Sequence, residues 1–564
     1  MPTRFDTILT DSLIEKFTSS GDWKNQTLLD HLEHWSAQRP DAIVTRDPYG
    51  AHTYAELSSD VETCARALVD LGVEPGDVVG IQLPNWYEWL VIHLGAIKAG
   101  AVTNGLIPIY RDREIGYMAK KASVSVLFVP NRFRKFDYPD MVDRLRPNLP
   151  ELQHTIVLDA PGDEAFAGRN GFEKWADFLS RGERDSASDG SRSAASAIES
   201  IDWDERRPDP NDVGLILFTS GTTGNPKGVM HTHNNVLAAA LPWPDHLGLD
   251  EESVIHMAST FGHLTGYMYG VCLPLLIGGS GVFQDVWNGE EFARLVADHG
   301  IQHTSGATPF LHDLLEVAKT TQHDLSSLKH FCCMGAPIPR VMVNEARTLL
   351  PELNVFGGWG QTECGLVTMT APGDSEEKVT STDGRALGSM KVRVVDPLGE
   401  PVAAGVEGKV QVTGPFLFVG YLDEPEQTAD AFDGEWLDTG DLAEKDEEGF
   451  IRIAGRSKDI IIRGGENIPV AYIENVLYEH PAVSQVAVVA VPHPRLQEIA
   501  CAVVTLNEGH SLSMDELREF FDTKGVAKNY WPEALQCLDE FPRTPSGKIQ
   551  KFKLREEVAT EHVS

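Results

Sequence analysis

Residues 218–228 read FTSGTTGNPKG and place four hydroxyl side chains, three glycines, one proline and one lysine in one short segment. Hydroxyl groups and exposed backbone amides donate hydrogen bonds to phosphate oxygens, and lysine adds a compact positive charge. Apolar residues 215–218 and 229–230 predict a short strand on each side, and the run HTHNN at 231–235 predicts the start of a helix. The segment is therefore predicted to be a phosphate-binding loop between two strands.

The spacing of this segment excludes the P-loop of nucleoside triphosphatases. That motif, G-x-x-x-x-G-K-[ST], needs a second glycine before the lysine and a hydroxyl after it. Counted from Gly221, Pro226 occupies the second glycine position, and Gly228 follows Lys227. An ordinary polar surface loop remains the alternative, because Ser, Thr and Gly are also common turn residues.

Composition and charge set wide limits on the protein. A chain of 564 residues with 42% hydrophobic and 23% charged residues is typical of a globular protein with two or more domains. The formal net charge of −36 argues against nucleic-acid binding, which rests on phosphate neutralisation, and raises the possibility of a high-salt source. No apolar run reaches the roughly 20 residues of a membrane span, and no targeting segment is evident. Seven cysteines without a regular spacing predict a reducing, cytoplasmic location.

The pattern along the chain predicts an α/β fold with a separate C-terminal domain. Helical and strand patterns alternate from residue 53 and again from about 214 to 370, whereas residues 391–454 read as short alternating strands. We therefore expect a large N-terminal domain, residues 1–457, made of two α/β subdomains and a β-rich subdomain. A small, mobile α+β domain, residues 458–564, is expected to follow it. The polar residues 162–212 are expected to form a surface excursion or a mobile loop.

Four further segments combine with the opening loop into one pattern. They are GGWGQTECG at 357–365, WLDTGDL at 436–442, GRSKDIIIRGGENI at 455–468 and PRTPSGKIQK at 542–551. Together they resemble the signature set of the adenylate-forming superfamily, which includes acyl-CoA synthetases, peptide-synthetase adenylation domains and luciferases. The resemblance covers residues 30–555. The stretch from STFGHLTGYMYG through GATPF, together with IIIRGGENI and PRTPSGKIQKF, looks most like that of short- and medium-chain fatty-acyl-CoA ligases and cyclohexanecarboxylate-CoA ligases.

The resemblance implies an AMP-forming acyl-CoA ligase. In such an enzyme the carboxylate attacks the α-phosphorus of ATP, pyrophosphate leaves, and the acyl-adenylate then reacts with the thiol of coenzyme A. Small-molecule carboxylate, ATP, coenzyme A and Mg²⁺ are the expected partners, for a monomer or a homodimer. Three alternatives stay open, a carrier-protein ligase of the peptide-synthetase type, a luciferase-like oxygenase and a non-catalytic module that binds nucleotide without releasing pyrophosphate.

The resemblance also assigns roles to individual residues. The loop from Thr219 to Lys227 would hold the β- and γ-phosphates, Glu363 would coordinate Mg²⁺, and Asp441 would accept hydrogen bonds from the ribose. Lys548 would stabilise charge on the α-phosphate and the carboxylate, with Thr362 and Glu363 as the other catalytic residues. The expected ATP-binding residues are Thr219, Ser220, Gly221, Thr222, Thr223, Gly224, Lys227, Gly335, Ala336, Pro337, Gly358, Trp359, Gly360, Gln361, Thr362, Asp441, Arg456 and Lys548.

Two domains would have to meet for this chemistry, because Lys548 lies in the small domain and the phosphate loop in the large one. Lys458 is the expected hinge, and the segment Arg463, Gly464, Gly465 and Glu466 is expected to line the tunnel for the coenzyme A thiol. For Glu363, Arg456, Lys458 and Lys548 the alternative is an ordinary solvated surface side chain, and for Asp441 it is a turn residue.

The acyl side matches the family less closely. Trp359 replaces the usual tyrosine of the YGxTE pattern, which keeps an aromatic face for adenine and removes a hydroxyl. His263, in FGHLTGYMYG, is expected either to line the carboxylate site or to be a buried structural histidine. Gly306 and Gly335 complete the predicted acyl pocket, whose small and apolar residues favour a hydrophobic acid.

Overall fold

The computed structural model describes residues 4–162, 164–183, 201–219, 226–334, 340–456, 461–463, 466–468, 470–493, 495–543 and 549–562. Strands and helices alternate over the first two thirds of the chain, and strands dominate residues 385–456. The strands are β1 (Ile43–Asp47), β2 (Gly50–Thr53), β3 (Val78–Ile81), β4 (Val102–Gly105), β5 (Val124–Pro130), β6 (Arg132–Phe133), β7 (Phe136–Asp137), β8 (His154–Leu158), β9 (Glu173–Lys174), β10 (Val213–Thr219), β11 (Lys227–Thr232), β12 (Val254–Met257), β13 (Ser280–Phe283), β14 (His303–Gly306), β15 (His330–Met334), β16 (Asn354–Gln361), β17 (Gly365–Met369), β18 (Arg385–Ala386), β19 (Lys391–Val395), β20 (Gly408–Thr413), β21 (Gly420–Tyr421), β22 (Phe432–Asp433), β23 (Trp436–Lys445), β24 (Ile451–Arg456), β25 (Ile461–Arg463), β26 (Glu466–Ile468), β27 (Val483–His493), β28 (Gln497–Leu506) and β29 (Ala534–Cys537).

Several helices begin at a side-chain cap. Thr53 and Ser513, for example, each form a capping box with a glutamate three residues later. The helices are α1 (Asp11–Ser20), α2 (Leu28–Gln38), α3 (Tyr54–Asp70), α4 (Tyr87–Lys98), α5 (Asp112–Lys121), α6 (Tyr138–Leu145), α7 (Trp175–Gly182), α8 (Trp203–Arg206), α9 (His233–Ala240), α10 (Pro242–Leu247), α11 (Leu264–Gly266), α12 (Leu273–Ile277), α13 (Gly289–His299), α14 (Thr308–Ala318), α15 (Arg340–Leu349), α16 (Glu376–Ser381), α17 (Pro425–Asp430), α18 (Val470–Tyr478), α19 (Met514–Thr523) and α20 (Lys551–His562).

Two large, mostly parallel sheets form the body of the molecule. The first has the strand order β21-β11-β10-β4-β3-β5-β8-β9, and the second has the order β18-β17-β16-β15-β14-β12-β13-β1-β2. The predicted α/β class is therefore confirmed. The boundary between the two sheets, however, does not fall at the expected position near residue 214 of the sequence. β10 and β11 belong to the first sheet, while β1 and β2 join the second.

Helix α4 lies between the two sheets, which explains its composition. Ten of its residues, 87 and 89–97, are buried, as expected for a helix that is apolar on all sides. His93 links the layers. Its Nδ1 lies 2.8 Å from Thr103 Oγ1 in β4, and its Nε2 lies 3.0 Å from the Tyr267 hydroxyl, in a π-helical segment that follows β12. Burial lowers the pKa of His93 to about 3, so the ring is neutral.

The β-rich unit and the C-terminal unit follow the predicted pattern. β19, β20, β23 and β22 form an antiparallel sheet with β24 beside β23, and β25 to β29 form the sheet of the C-terminal α+β unit. The expected surface excursion is wrong for part of residues 162–212, because β9 adds to the first sheet and α7 packs on it through the fully buried Phe178. Residues 184–200, at the centre of that stretch, lie outside the described residues.

Candidate active site

The carboxyl ends of four neighbouring parallel strands bring the predicted site segments to one edge of the second sheet. The strands lie in the order β16-β15-β14-β12. His263 follows β12, Gly306 ends β14, and Gln361 ends β16. Gly335, Ala336 and Pro337 come directly after β15 in sequence, but they lie outside the described residues. Ligands of open α/β sheets bind at this edge, so the fold places the segments where a site is expected.

The β10–β11 hairpin carries the phosphate-loop segment. Thr219 and Lys227 pair directly across the two strands, which confirms the predicted order of strand, connection, strand and helix. Ser220, Gly221, Thr222, Thr223 and Gly224 lie outside the described residues. The Lys227 ammonium lies 4.4 Å from the centroid of the Tyr421 ring, within the range of a cation–π interaction.

Glu363 is held in the connection between β16 and β17. A Cβ on Gly360 would lie 1.9 Å from the carbonyl oxygen of Gly365, so this tight hairpin requires glycine there. The Tyr421 hydroxyl donates to Glu363 Oε1 at 3.0 Å, and the Phe418 amide donates to the Glu363 carbonyl at 2.8 Å. The half-buried carboxylate is therefore fixed in position by Tyr421, whose ring also contacts Lys227.

Asp441 is the centre of a second group of polar side chains. It is 4% exposed, and its Oδ2 accepts hydrogen bonds from Trp359 Nε1 and from Gln361 Nε2, both at 2.8 Å. Gln361 Nε2 also donates to the Thr439 carbonyl at 2.8 Å. The Asp441 carboxylate of β23, in the β-rich sheet, thus contacts the end of β16 in the second sheet.

The strand beside Asp441 carries the predicted arginine. Arg456 pairs with Asp441 in the register of β24 against β23, so the two backbones are adjacent, while the Arg456 side chain lies outside the described residues. Asp383 anchors β24 from the other side, because its Oδ2 accepts the Ile453 amide at 2.8 Å. Burial raises the pKa of Asp383 to about 6, against the lowering effects of the Ile453 amide and of Arg452.

The segments predicted to form the acyl side contain small residues and one histidine. A Cβ on Gly306 would lie 2.7 Å from the Phe310 ring, and one on Gly358 would lie 2.9 Å from Leu366, so both positions are closely packed. His263 is half-buried and caps α11, its Nδ1 accepting the Thr265 amide at 3.3 Å. The cap accounts for one ring nitrogen of His263, and both predicted roles of this residue remain open.

Family models match most of the chain. The AMP-binding enzyme model matches residues 32–422, and the model of the AMP-binding enzyme C-terminal domain matches residues 472–548. The chain belongs to the AMP-binding enzyme family. The first range contains every strand of the two large sheets, and the second lies within the C-terminal α+β unit.

Relatives of this AMP-binding enzyme are named as acyl-CoA ligases. It is 36% identical over 547 residues to the medium-chain fatty-acid–CoA ligase of Escherichia coli, covering 96% of this chain and 92% of that protein. It is 32% identical to the 3-[(3aS,4S,7aS)-7a-methyl-1,5-dioxo-octahydro-1H-inden-4-yl]propanoyl:CoA ligase of Rhodococcus jostii, covering 90% and 93% of the two chains. The crystal structure of the anthranilate CoA ligase AuaEII in complex with anthranoyl-AMP has the same fold, with a TM-score of 0.84 at 24% identity and coverage of 96% and 98%. The predicted class, an AMP-forming acid–thiol ligase, is confirmed.

The C-terminal unit of this AMP-binding enzyme contains the other predicted residues. Arg463 pairs with Glu466 across the β25–β26 hairpin, and the Arg463 guanidinium forms an ion pair with Glu533. Lys458, Gly464, Gly465 and Lys548 lie outside the described residues. Their roles as hinge, tunnel and catalytic lysine stay predictions.

Tyr421 and Asn235 also contact the site segments, and neither was predicted from the sequence. Tyr421 reaches Glu363 only because β21 pairs with β11, a contact with no local signal in the sequence. Asn235 completes the capping box of α9 with the N-cap Thr232, and its side-chain amide donates to the Leu417 carbonyl at 2.9 Å, which fixes the segment that leads to β21. The HTHNN run indicates the cap, but not this second contact.

The chemistry of the phosphate side suits a magnesium ion shared with a nucleotide. Mg²⁺ binds through one or two carboxylates together with phosphates and water, and Glu363 offers such a carboxylate. Within the described residues no three His, Cys, Asp or Glu side chains group as a protein-only metal site. Over the same part of the chain, every helix is too short or too polar to cross a bilayer.

Proposed function

We propose that this enzyme activates a hydrophobic carboxylic acid as an acyl-adenylate and then transfers the acyl group to coenzyme A. The convergence of two groups at one strand edge carries the proposal. Asp441 with Trp359 and Gln361 would bind the nucleoside, while Lys227 and Glu363 would bind the phosphates and Mg²⁺. The acid would bind beside Gly306, which ends β14 at the same edge.

The first step would form an acyl–phosphate bond. A carboxylate oxygen attacks the α-phosphorus of ATP, the bond to the bridging oxygen breaks, and pyrophosphate leaves. Mg²⁺, when bound, would neutralise the phosphate charges. Thr219 and Lys227 would hold the β- and γ-phosphates, Glu363 would hold the metal, and Lys548 would stabilise the charge that develops around the α-phosphorus.

The second step would move the acyl group to sulfur. The coenzyme A thiolate attacks the acyl carbon, the carbon–oxygen bond to AMP breaks, and the thioester and AMP are released. We propose residues 1–457 and 458–564 as the two domains, with Lys458 as their hinge and with the Arg463–Glu466 hairpin turned toward the thiol in this step.

The proposed acid is a short- or medium-chain fatty acid or an alicyclic acid. The Escherichia coli relative is named for a medium-chain fatty acid, and the Rhodococcus relative for a propanoyl group on a fused ring system. Both acids are largely apolar, in keeping with an acyl side formed by glycines and aromatic rings.

One experiment tests this function. Pyrophosphate release is measured with purified protein, ATP and Mg²⁺ against straight-chain acids of 4 to 12 carbons, cyclohexanecarboxylate, benzoate and amino acids, each with and without coenzyme A. We expect release with apolar acids and a thioester product only when coenzyme A is present. Absence of release across the aliphatic and alicyclic acids would overturn the proposal. Release with an adenylate product that coenzyme A never consumes would favour another acceptor.

A further inference from the structure

The indole of Trp359 makes a hydrogen bond that its role as a stacking ring does not require. Its Nε1 donates to Asp441 Oδ2 at 2.8 Å, across the junction between the second sheet and the β-rich sheet. Trp359 is 8% exposed and Asp441 is 4% exposed, so the bond is shielded from water. A tyrosine or phenylalanine at this position would keep an aromatic face and lose the indole N–H.

The oxygen that receives this bond is held from two sides. Gln361 Nε2 donates to the same Oδ2 at 2.8 Å, and it donates to the Thr439 carbonyl at 2.8 Å. The Asp441 amide in turn donates to Thr439 Oγ1 at 3.2 Å. N–H groups from two residues of β16 therefore fix one carboxylate oxygen of β23, and with it the direction of the whole carboxylate.

We infer that Trp359 is a positioning residue for Asp441, so that the ring facing the base and the carboxylate facing the ribose act as one unit in nucleotide binding. The inference rests on the proposed function, in which Asp441 binds the ribose. Hydrogen bonds to a charged acceptor are stronger than neutral ones, and preorganised groups lose less freedom when a ligand binds. The contribution of Trp359 to ATP affinity should therefore depend on the presence of Asp441.

A double-mutant cycle tests this dependence. MgATP binding is measured by calorimetry for the full-length wild type, Trp359→Phe, Asp441→Ala and the double variant. We expect Trp359→Phe to weaken binding about tenfold or more in the wild-type background, and to have little further effect when Asp441 is absent. Equal losses in both backgrounds, or no loss in the wild-type background, would overturn the inference. A wild type that binds no MgATP would instead overturn the proposed function, so the two failures are distinguishable.

Two further variants separate the hydrogen bond from the ring and from general stability. Benzothienylalanine at position 359 replaces the indole N–H with sulfur and keeps the ring shape, and it should weaken MgATP binding as Trp359→Phe does. Trp86→Phe removes another indole–aspartate bond, from Nε1 to Asp285 at 3.1 Å, and should leave MgATP affinity unchanged. Full affinity in the benzothienylalanine protein would overturn the inference.

Steady-state kinetics provide a second readout. In the pyrophosphate-release assay, the benzothienylalanine variant should have a higher KM for ATP than the wild type and the same KM for the acid. A rise in the KM for the acid alone would place the role of Trp359 on the acyl side and overturn the inference.

Discussion

Tyr421 contacts two charged side chains of the candidate site through different parts of its ring. Its hydroxyl donates to Glu363 at 3.0 Å, and its face lies 4.4 Å from the Lys227 ammonium. The same side chain therefore fixes the carboxylate proposed for Mg²⁺ and the lysine proposed for the phosphates. These two contacts can be separated, because only the first needs the hydroxyl.

Tyr421→Phe should raise the Mg²⁺ concentration needed for half-maximal pyrophosphate release about 3- to 10-fold, because Glu363 loses a hydrogen bond that orients it. The rate at saturating Mg²⁺ should change less, since the ring still faces Lys227. Tyr87→Phe is the matched control, as it removes a hydroxyl that donates to Asp60 at 2.7 Å, outside the candidate site. An unchanged Mg²⁺ dependence in Tyr421→Phe would contradict the positioning role.

Asp383 should make stability depend on pH in the opposite sense from a salt-bridged carboxylate. Burial raises the pKa of Asp383 to about 6 from its ordinary value of 3.8, so the unfolded chain loses this proton at lower pH than the folded chain. The contribution of Asp383 to the free energy of unfolding therefore falls as the pH rises from about 4 to 6, and it stays at the lower value above pH 6.

Asp383→Asn keeps an oxygen to accept the Ile453 amide and removes the charge. Relative to wild type, we expect the variant to gain on the order of 1 kcal/mol in unfolding free energy between pH 4 and pH 7, reduced from the full linkage value because the side chain is partly exposed. Thermal unfolding of both proteins at each pH measures this gain. A difference between the two proteins that is constant with pH would show that Asp383 does not titrate in this range.

At the scale of elements, helix α9 joins the phosphate hairpin to the segment that carries Tyr421. The Asn235 side chain accepts the Thr232 amide at 2.7 Å as part of the capping box and donates to the Leu417 carbonyl at 2.9 Å. It also lies 2.9 Å from Nδ1 of His231, whose pKa burial lowers to about 4, so that ring is a neutral acceptor. The buried Asn235 side chain thus forms hydrogen bonds both with the first turn of α9 and with the segment that leads to β21.

Asn235→Asp and Asn235→Ala should separate these two functions. Asp keeps the capping oxygen and loses the N–H donors, whereas Ala loses both, so Ala should be the more destabilising by thermal unfolding, at about 2–4 kcal/mol. Ser513→Ala, in the exposed capping box of α19, is the control and should cost about 1 kcal/mol. Equal losses for Asn235→Ala and Ser513→Ala would show that the contact with Leu417 adds nothing.

The local sequence pattern predicted the individual strands and helices better than it predicted which strands pair with each other. The apolar flanks of residues 218–228 and the HTHNN run were enough to predict β10, β11 and the start of α9, and the short alternating segments after residue 390 predicted the β-rich sheet. The sequence did not predict which strands belong to which of the two large sheets, because β1 pairs with β13 more than 230 residues later in the chain. Helix α7 was missed because its sequence lies in a polar stretch, although Phe178 is fully buried. The position of Tyr421 likewise comes from the pairing of β21 with β11, and the contact of Trp359 with Asp441 comes from packing between two different sheets.

For the whole molecule, the two proposed half-reactions place different demands on the C-terminal unit. Adenylation would need Lys548 at the α-phosphate, and thioester formation would need the Arg463–Glu466 hairpin near the thiol. Arg463 and Glu533 form an ion pair inside the C-terminal unit, so this hairpin is tied to the body of the unit. A rigid movement of the unit would carry both segments at once.

Lys548→Ala should therefore slow pyrophosphate release about 100-fold or more, because a positive charge is lost where negative charge develops. Formation of the thioester from supplied acyl-adenylate and coenzyme A should continue near the wild-type rate, since Lys548 would be outside the site in that step. Lys551→Ala is the matched control, because this lysine lies three residues away and forms an ion pair with Glu474 at 2.6 Å. It should leave both rates near those of wild type. Equal loss of the two half-reactions in Lys548→Ala would contradict the two-position model and point to a single arrangement of the domains for both steps.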